Sequence, residues 1–312
     1  MSHLFLDWRQ ELPPAWRGGA VAIGNFDGVH RGHQALVAET ARQAQAVSGP
    51  TVVHSFDPPP VHLLRPGSEQ PPLTPLDERI KLLENGGADL VIILRTTAEL
   101  LQLTAADFFA QMVQERLAAR AMVEGENFRF GHNREGDTAL LATLCQAAGI
   151  GLTIVPPVVL GARPISSSRV RQALLAGDVV GASEQLGRPY RVQGVVGTGQ
   201  KRGRTIGFPT ANLTDIHSVL PADGVYAVGV STLNGRWMGA ANVGPNPTFG
   251  ENARKVEIHL LDFTGDLVGQ TLSADFFERV RDTKPFPSIA DLVAQLHRDV
   301  EWVRGLQETY MH

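Results

Sequence analysis

The sequence predicts two domains: an α/β domain with a parallel sheet and flanking helices over residues 1–186, then a small antiparallel barrel or sandwich closed by a C-terminal helix over residues 187–312. Three observations carry this. A chain of 312 residues with 43% hydrophobic composition can bury more than one core. Up to about Leu186, continuous apolar runs alternate with stretches of helical spacing, as strands buried on both faces require. From about Tyr190 the apolar residues recur at period two between Gly- and Asn-rich turns.

In the first half the strands are AVAIGNF, TVVHSF, ADLVIIL, RAMVEG and GLTIVPPVVL. Helical spacing fills Gly32–Val47, Leu76–Asn85, Ala105–Leu117 and Thr138–Ala148. PGSEQPPLTP, Pro66–Pro75, reads as an exposed loop because four prolines and a glycine leave no periodic segment. The boundary lies in GASEQLGRPY, where helix gives way to strand through Gly187 and Pro189. Beyond it, RVQGVVGTG, GVYAVGVSTL, RWMGAANVG and KVEIHLLDF read as strands. A last helix runs from about Ser288, a suitable N-cap, to Gln307.

Composition narrows the function classes. A net charge of −4 and a pI near 6.2 argue against a polybasic surface for nucleic acid or anionic membrane. Cys145 is the sole cysteine, so neither an intrachain disulfide nor a Cys-rich zinc site is available. MSHLFLDWRQELPP carries charges and prolines where a signal peptide needs apolar residues, and ADLVIIL is far short of a membrane span. A cytoplasmic protein with no membrane association and no obligate protein partner is expected.

AIGNFDGVHRGH places His30 and His33 in a Gly/Asp turn between a strand and a helix. Backbone N–H groups are unpaired at a helix start and the dipole favours an anion there. Residues three apart share a helix face, so both imidazoles can meet one ligand. Phosphate handling suits this turn. A pair of surface histidines is the plain alternative, and a metal site lacks an HExxH or cysteine partner set.

GNFDGVHRGH resembles the HxGH signature of nucleotidyltransferases. GENFRFGHNREGD (Gly125–Asp137) and ISSSRVRQALLAGDV (Ile165–Val179) are similar to segments of the adenylyltransferase module of bacterial FAD synthetases. The resemblance implies a Rossmann-like nucleotidyltransferase domain. Its ATP and phosphate contacts would be Gly24, Phe26, Asp27, Gly28, Asn127, Ser167, Ser168, Arg169 and Arg171, with His30 and His33 catalytic. Physically, Ser166–Ser168 can cap a helix whose first turn carries two arginines, a suitable triphosphate clamp; a capped surface helix is the alternative. Two departures stand out: Ser168 replaces the usual Thr, and Pro59 stands where a His often follows the second strand.

GTGQKRGRTIGFPTANL, Gly197–Leu213, is the dense signal of the second half. Gly194 and Gly199 have P-loop spacing, but Gln200-Lys201-Arg202 follows instead of Gly-Lys-Ser/Thr, so Walker A fails. What remains is a flexible basic loop able to wrap phosphates. Thr210 and Asn212 are two apart, so an extended segment points both side chains one way. Their oxygens are hard ligands suited to Mg²⁺, although turn capping is also common for such residues. In KVEIHL, Val256, Ile258 and Leu260 share one face and Lys255, Glu257 and His259 the other.

GFPTANL resembles the riboflavin kinase signature. The similarity continues through ANVGPNPTF (Ala241–Phe249), KVEIHLLDF and FFERVRDTKPFPSIADLVAQLHRDV (Phe276–Val300). Taken together, the chain is similar to the bacterial bifunctional riboflavin kinase/FMN adenylyltransferase family over nearly its whole length. That resemblance implies a C-terminal β-barrel with Gly197, Gly199, Lys201, Gly203 and Arg204 on ATP phosphates. It implies Phe208, Pro209 and Arg281 on flavin, Thr210 and Asn212 on Mg²⁺, and Glu257 as catalytic base. The implied reactions convert riboflavin to FMN and then FMN to FAD, each with ATP. Another HxGH nucleotidyltransferase leaves the second half unexplained, and a non-catalytic flavin binder would not need all of these groups.

Overall fold

The computed structural model describes residues 2–67, 70–199, 202–246 and 251–310. Two compact units divide it: residues 1–70 with 74–166, and residues 71–73 with 167–312. Packing thus divides the chain after Ser166, while the sequence pattern changes after Leu186.

The first unit contains β1 (Ser2–Leu6), β2 (Ala20–Ile23), α1 (Arg31–Ala46), β3 (Thr51–Asp57), α2 (Pro60–Leu64), α3 (Leu76–Asn85) and β4 (Leu90–Arg95). It continues through α4 (Ala98–Leu101), α5 (Ala105–Phe108), β5 (Ala121–Gly125), α6 (Thr138–Ala148), β6 (Gly151–Val155) and the short pair β7 (Val159–Leu160) and β8 (Arg163–Pro164). The helix expected over 105–117 widens from Phe109 to Arg116, where it becomes a π-helix. The strand expected over 151–160 breaks at Pro156 and Pro157, which cannot supply ladder N–H donors.

All pairings of the main sheet are parallel, in the order β1-β4-β3-β2-β5-β6. Its inner strands, β2 to β5, are buried on both faces, which explains their unbroken apolar runs. Leu90, Ile92 and Leu94 join Val21, Ile23, Phe108, Met112 and Leu141 in one core. Val91 and Ile93 face the other way, to Ala22, Val53, Leu36, Val37, Ile80 and Leu83. The chain winds outward through β2, β3 and β4, then returns to set β5 against the opposite side of β2. The order reverses there, and such a point opens a crevice at the carboxyl ends of the strands.

The second unit begins with α7 (Ser167–Leu175) and α8 (Val179–Leu186). Then come β9 (Tyr190–Gly197), α9 (Arg202–Thr205), β10 (Ala211–Thr214), β11 (Gly224–Thr232), β12 (Gly235–Asn246), β13 (Glu251–Leu260), β14 (Thr271–Arg281) and α10 (Ile289–Gly305). The strands close an antiparallel barrel in the order β10-β13-β12-β11-β14-β9, so the barrel alternative holds over the sandwich. Tyr190, Val192 and Val196 alternate inward along β9 to meet Tyr226, Val228, Ile258 and Phe276. Val256, Ile258 and Leu260 are buried, as their shared face predicts. Ser288 caps α10, accepting the Asp291 N–H at 3.1 Å. The Pro66–Pro75 expectation needs correction: Leu73 is fully buried, because it inserts beside Val170 and Leu174 in the core of the second unit.

Candidate active sites

The turn after β2 is held in a conformation few sequences tolerate. Phe26 (φ 50°), Gly28 (φ 85°) and Val29 (φ 40°) all take left-handed backbone, which a β-branched residue strongly disfavours. Surrounding packing imposes it: Phe26 and Val29 are buried, and the Val29 N–H donates to the Phe26 carbonyl at 3.1 Å. His30 then N-caps α1, its Nδ1 accepting the His33 N–H at 3.3 Å. Gly32 has no side chain because a Cβ there would press the His30 ring, 3.1 Å from Cε1.

The two imidazoles stack, with centroids 3.7 Å apart and planes 17° from parallel. Burial, then the neighbouring His30 and Arg79, push the His33 pKa well below its ordinary value, so His33 is neutral at pH 7. Its Nδ1 has no hydrogen-bond partner among the described residues. Arg79 on α3 is 3% exposed and braces the turn from below, donating to the carbonyls of Asn25 (3.0 Å) and Phe56 (3.2 Å). Asp27 accepts the Thr74 N–H at 3.3 Å.

Gly24, Phe26, His30, His33 and Asn127 converge on a cavity of about 260 Å³ at the crevice between β2 and β5. A neighbouring cavity of about 510 Å³ shares Gly24, Asn127 and Phe128 with it. Phe56, Phe108, Phe128 and Phe130 wall this second space, with Arg65, Arg129 and Arg134 at its margin. Phe128 and Phe130 stack at 5.4 Å. A flat heteroaromatic with an anionic tail suits such a wall.

Ser167, Ser168, Arg169 and Arg171 fall in the opening turns of α7, directly after Ser166. They belong to the second unit, where Arg171 donates to the Pro71 carbonyl at 2.7 Å. Asp27 and Gly28 lie in the histidine turn but do not line its cavity.

In the barrel, Gly197, Gly199, Arg204, Pro209, Thr210 and Asn212 line one cavity of about 350 Å³, walled elsewhere by Leu260, Phe263 and Leu267. Ala211 and Leu213 point into the core, which turns Thr210 and Asn212 together toward the cavity. A Cβ on Gly199 would collide with the Asn212 amide, and one on Gly203 with the Phe208 carbonyl. The glycines let this loop close tightly. Lys201 lies outside the described residues.

Glu257 is half-buried on β13, directly opposite Asn212 of β10. Phe208 is buried, edge-on to His259 (5.3 Å) and His297 (5.0 Å), and His259 Nδ1 bonds the Pro209 carbonyl at 2.8 Å. Arg281 forks onto buried Asp299 of α10 at 2.7–3.0 Å and lies over Phe286. Two groups escape the sequence reading, Arg79 and Glu124. Arg79 interrupts the buried face of its helix, and Glu124 is the lone acid in AMVEG; each is a polar residue where an apolar one is expected.

Among the described residues no cluster of three or more His, Cys, Asp or Glu could hold a metal. The Thr210–Asn212 pair is a different donor set. Two neutral oxygens on one cavity, with Gly199 cleared from the amide, fit an Mg²⁺ that keeps waters and phosphate oxygens.

A parallel-sheet crevice with a histidine-capped helix, followed by a barrel with a Gly-rich loop and a facing carboxylate, defines a two-unit nucleotide-dependent transferase. The FAD synthetase family matches residues 12–169 and the riboflavin kinase family residues 186–306. The bifunctional riboflavin kinase/FMN adenylyltransferase of Escherichia coli K12 is 37% identical, over 90% of each chain. That of Pseudomonas fluorescens is 35% identical over 96% of this chain and 97% of its own. The chain belongs to the bifunctional riboflavin kinase/FMN adenylyltransferase family. A solved structure described as a macrolide-efflux protein from Streptococcus pneumoniae is 32% identical, with a TM-score of 0.87 over 97% of this chain and 98% of that one. Among the described residues here, no helix is long and apolar enough to cross a membrane.

Proposed function

We propose that the barrel transfers the γ-phosphoryl group of ATP to the 5′-hydroxyl of riboflavin, giving FMN and ADP. The α/β unit then joins the FMN phosphate to the adenylyl group of a second ATP, giving FAD and pyrophosphate. The observation that carries this is the presence of two separate cavities, each lined by a different chemistry.

An alcohol must lose a proton to attack phosphorus, and Glu257 is the base for it. Gly197, Gly199, Lys201, Gly203 and Arg204 hold the phosphates, and Phe208 and Pro209 border the flavin. Thr210 and Asn212 hold Mg²⁺, which neutralises phosphate charge when bound. Arg281, held by Asp299 of α10, borders the flavin with Phe208 and Pro209.

The FMN phosphate is already an anion, so adenylyl transfer needs no base. It needs donors for the charge at the α-phosphate and on leaving pyrophosphate. His30, His33, the helix start and Asn127 supply them from the 260 Å³ cavity. The aromatic walls of the 510 Å³ cavity support isoalloxazine binding there. ATP, riboflavin and FMN are the partners, and a cytoplasmic location goes with this reading.

Incubating the purified chain with Mg-ATP and either riboflavin or FMN, then separating the flavins by chromatography, tests both steps. Riboflavin passing to FMN and then FAD is the expected result. FMN accumulating without FAD removes the adenylyl assignment, and flavin binding without conversion removes both.

A further inference from the structure

Glu124 is the penultimate residue of β5 and 1% exposed. A carboxyl so deeply buried needs a hydrogen-bonding partner. It has one: Oε1 accepts the Ile23 N–H at 2.9 Å. That amide is available because of the sheet order. β2 and β5 are neighbours, yet their ladder holds only Ala20↔Ala121 and Val21↔Met122. On its other side β2 stays paired to β3 through Ile23↔His54, and the Gly24 N–H continues to the His54 carbonyl at 3.0 Å. The strand ends therefore part on one side only, and Ile23 loses its ladder acceptor. The Glu124 side chain reaches across and replaces it. The same gap opens into the cavity that Glu124 lines with Gly24, His30 and His33.

Resting on the adenylyl-transfer reading of that cavity, we infer that Glu124 is a positioning residue: its carboxyl bridges the parted ends of β2 and β5 and fixes where Gly24 and the histidine turn stand. The turn follows Ile23 directly, so any drift of that strand end is passed on to both imidazoles. Among the described residues the carboxyl makes no other hydrogen bond. Burial pushes its pKa well above the usual range, against the opposing pull of the Ile23 N–H. An uncharged acid suits a wall that faces a triphosphate, where a carboxylate would repel.

The test compares wild type, Glu124→Gln and Glu124→Leu as full chains. FAD formation from supplied FMN, FMN formation from riboflavin and amide hydrogen exchange at Ile23 are followed in the same preparations. Gln keeps the acceptor and should retain FAD formation within about threefold, with Ile23 still protected. Leu keeps the volume and loses the acceptor. It should lower kcat for FAD formation by about 10- to 100-fold with little change in KM for ATP, because misplacement of about 1 Å costs that much. Riboflavin phosphorylation should be unaffected, and Ile23 should exchange faster. Wild-type FAD formation in Glu124→Leu, or equal loss in both variants, overturns the inference. Should the Leu chain not fold, a loss beyond about tenfold in Glu124→Gln overturns it alone. If even wild type makes no FAD, the site reading fails, while unchanged Ile23 exchange between Gln and Leu would still overturn the bridge.

Discussion

Around the histidine turn the working groups are buried: His30 is 6% exposed, Arg79 3% and Glu124 1%. In the barrel, Thr210 is exposed, and Asn212, which lines the cavity, and Glu257, which does not, are half-buried. Both units are proposed to use ATP, so the difference lies in the nucleophile. A phosphate anion brings its own charge, and buried donors stabilise what develops on it. An alcohol arrives neutral, and Glu257, the base proposed for it, stands where water reaches it. On the proposed assignments, burial follows the protonation task more closely than it follows the cosubstrate.

Glu257→Gln should divide the units most sharply. FMN formation should fall by about 10²–10⁴-fold while FAD formation from supplied FMN is unchanged. An equal fall in both would erase the distinction. The double replacement of His30 and His33 by Ala should do the reverse, lowering FAD formation by about 10²–10³-fold and sparing FMN formation. Quenched time courses with each flavin supplied separately measure both.

Gly199→Ala should act only in the barrel. The new methyl displaces the Asn212 amide, and the concentration of Mg-ATP giving half-maximal FMN formation should rise about tenfold, equivalent to about 1.4 kcal/mol. No change would mean that Asn212 is not a ligand in the Mg-ATP complex.

A last effect concerns stability rather than turnover. His54 is fully buried, with neither ring nitrogen hydrogen-bonded among the described residues. Burial and then Arg116 hold its pKa down to about 3, against 6.5 for the unfolded chain. Between those values the unfolded state binds the extra proton. Stability is therefore full above pH 6.5 and is lost as pH falls toward 3, by ~1.4 kcal/mol for each pH step of one. The urea midpoint of His54→Leu should decline less steeply than that of wild type between pH 6.5 and 4. Parallel declines would assign the acid sensitivity to other groups.

The strands that sequence makes legible are those whose burial is uniform, such as ADLVIIL, whose residues alternate between two cores of equal dryness. β1 escapes because an edge strand of alternating half-burial resembles a polar leader until β4 pairs with it. β14 contains Asp275, a poor strand residue, and only Arg191 (2.7 Å) and Arg236 (3.0 Å) from other strands make it tolerable there. Leu73 is a single apolar residue among prolines, buried by partners about a hundred positions away. The candidate sites follow the same rule. GNFDGVHRGH and GFPTAN are legible because their groups are adjacent in sequence. The pairing of Asn212 with Glu257 depends on strand register, and the role of Glu124 on a ladder that stops early.

α1 begins on an imidazole, and that has a consequence for the proton. The His33 amide needs a bare nitrogen at His30 Nδ1, so the neutral ring must carry its hydrogen on Nε2. The backbone thereby selects one tautomer in advance, and the ring always offers the same N–H without waiting for exchange. A proton added at Nδ1 would evict the amide it caps. Charging this histidine would cost the helix its cap.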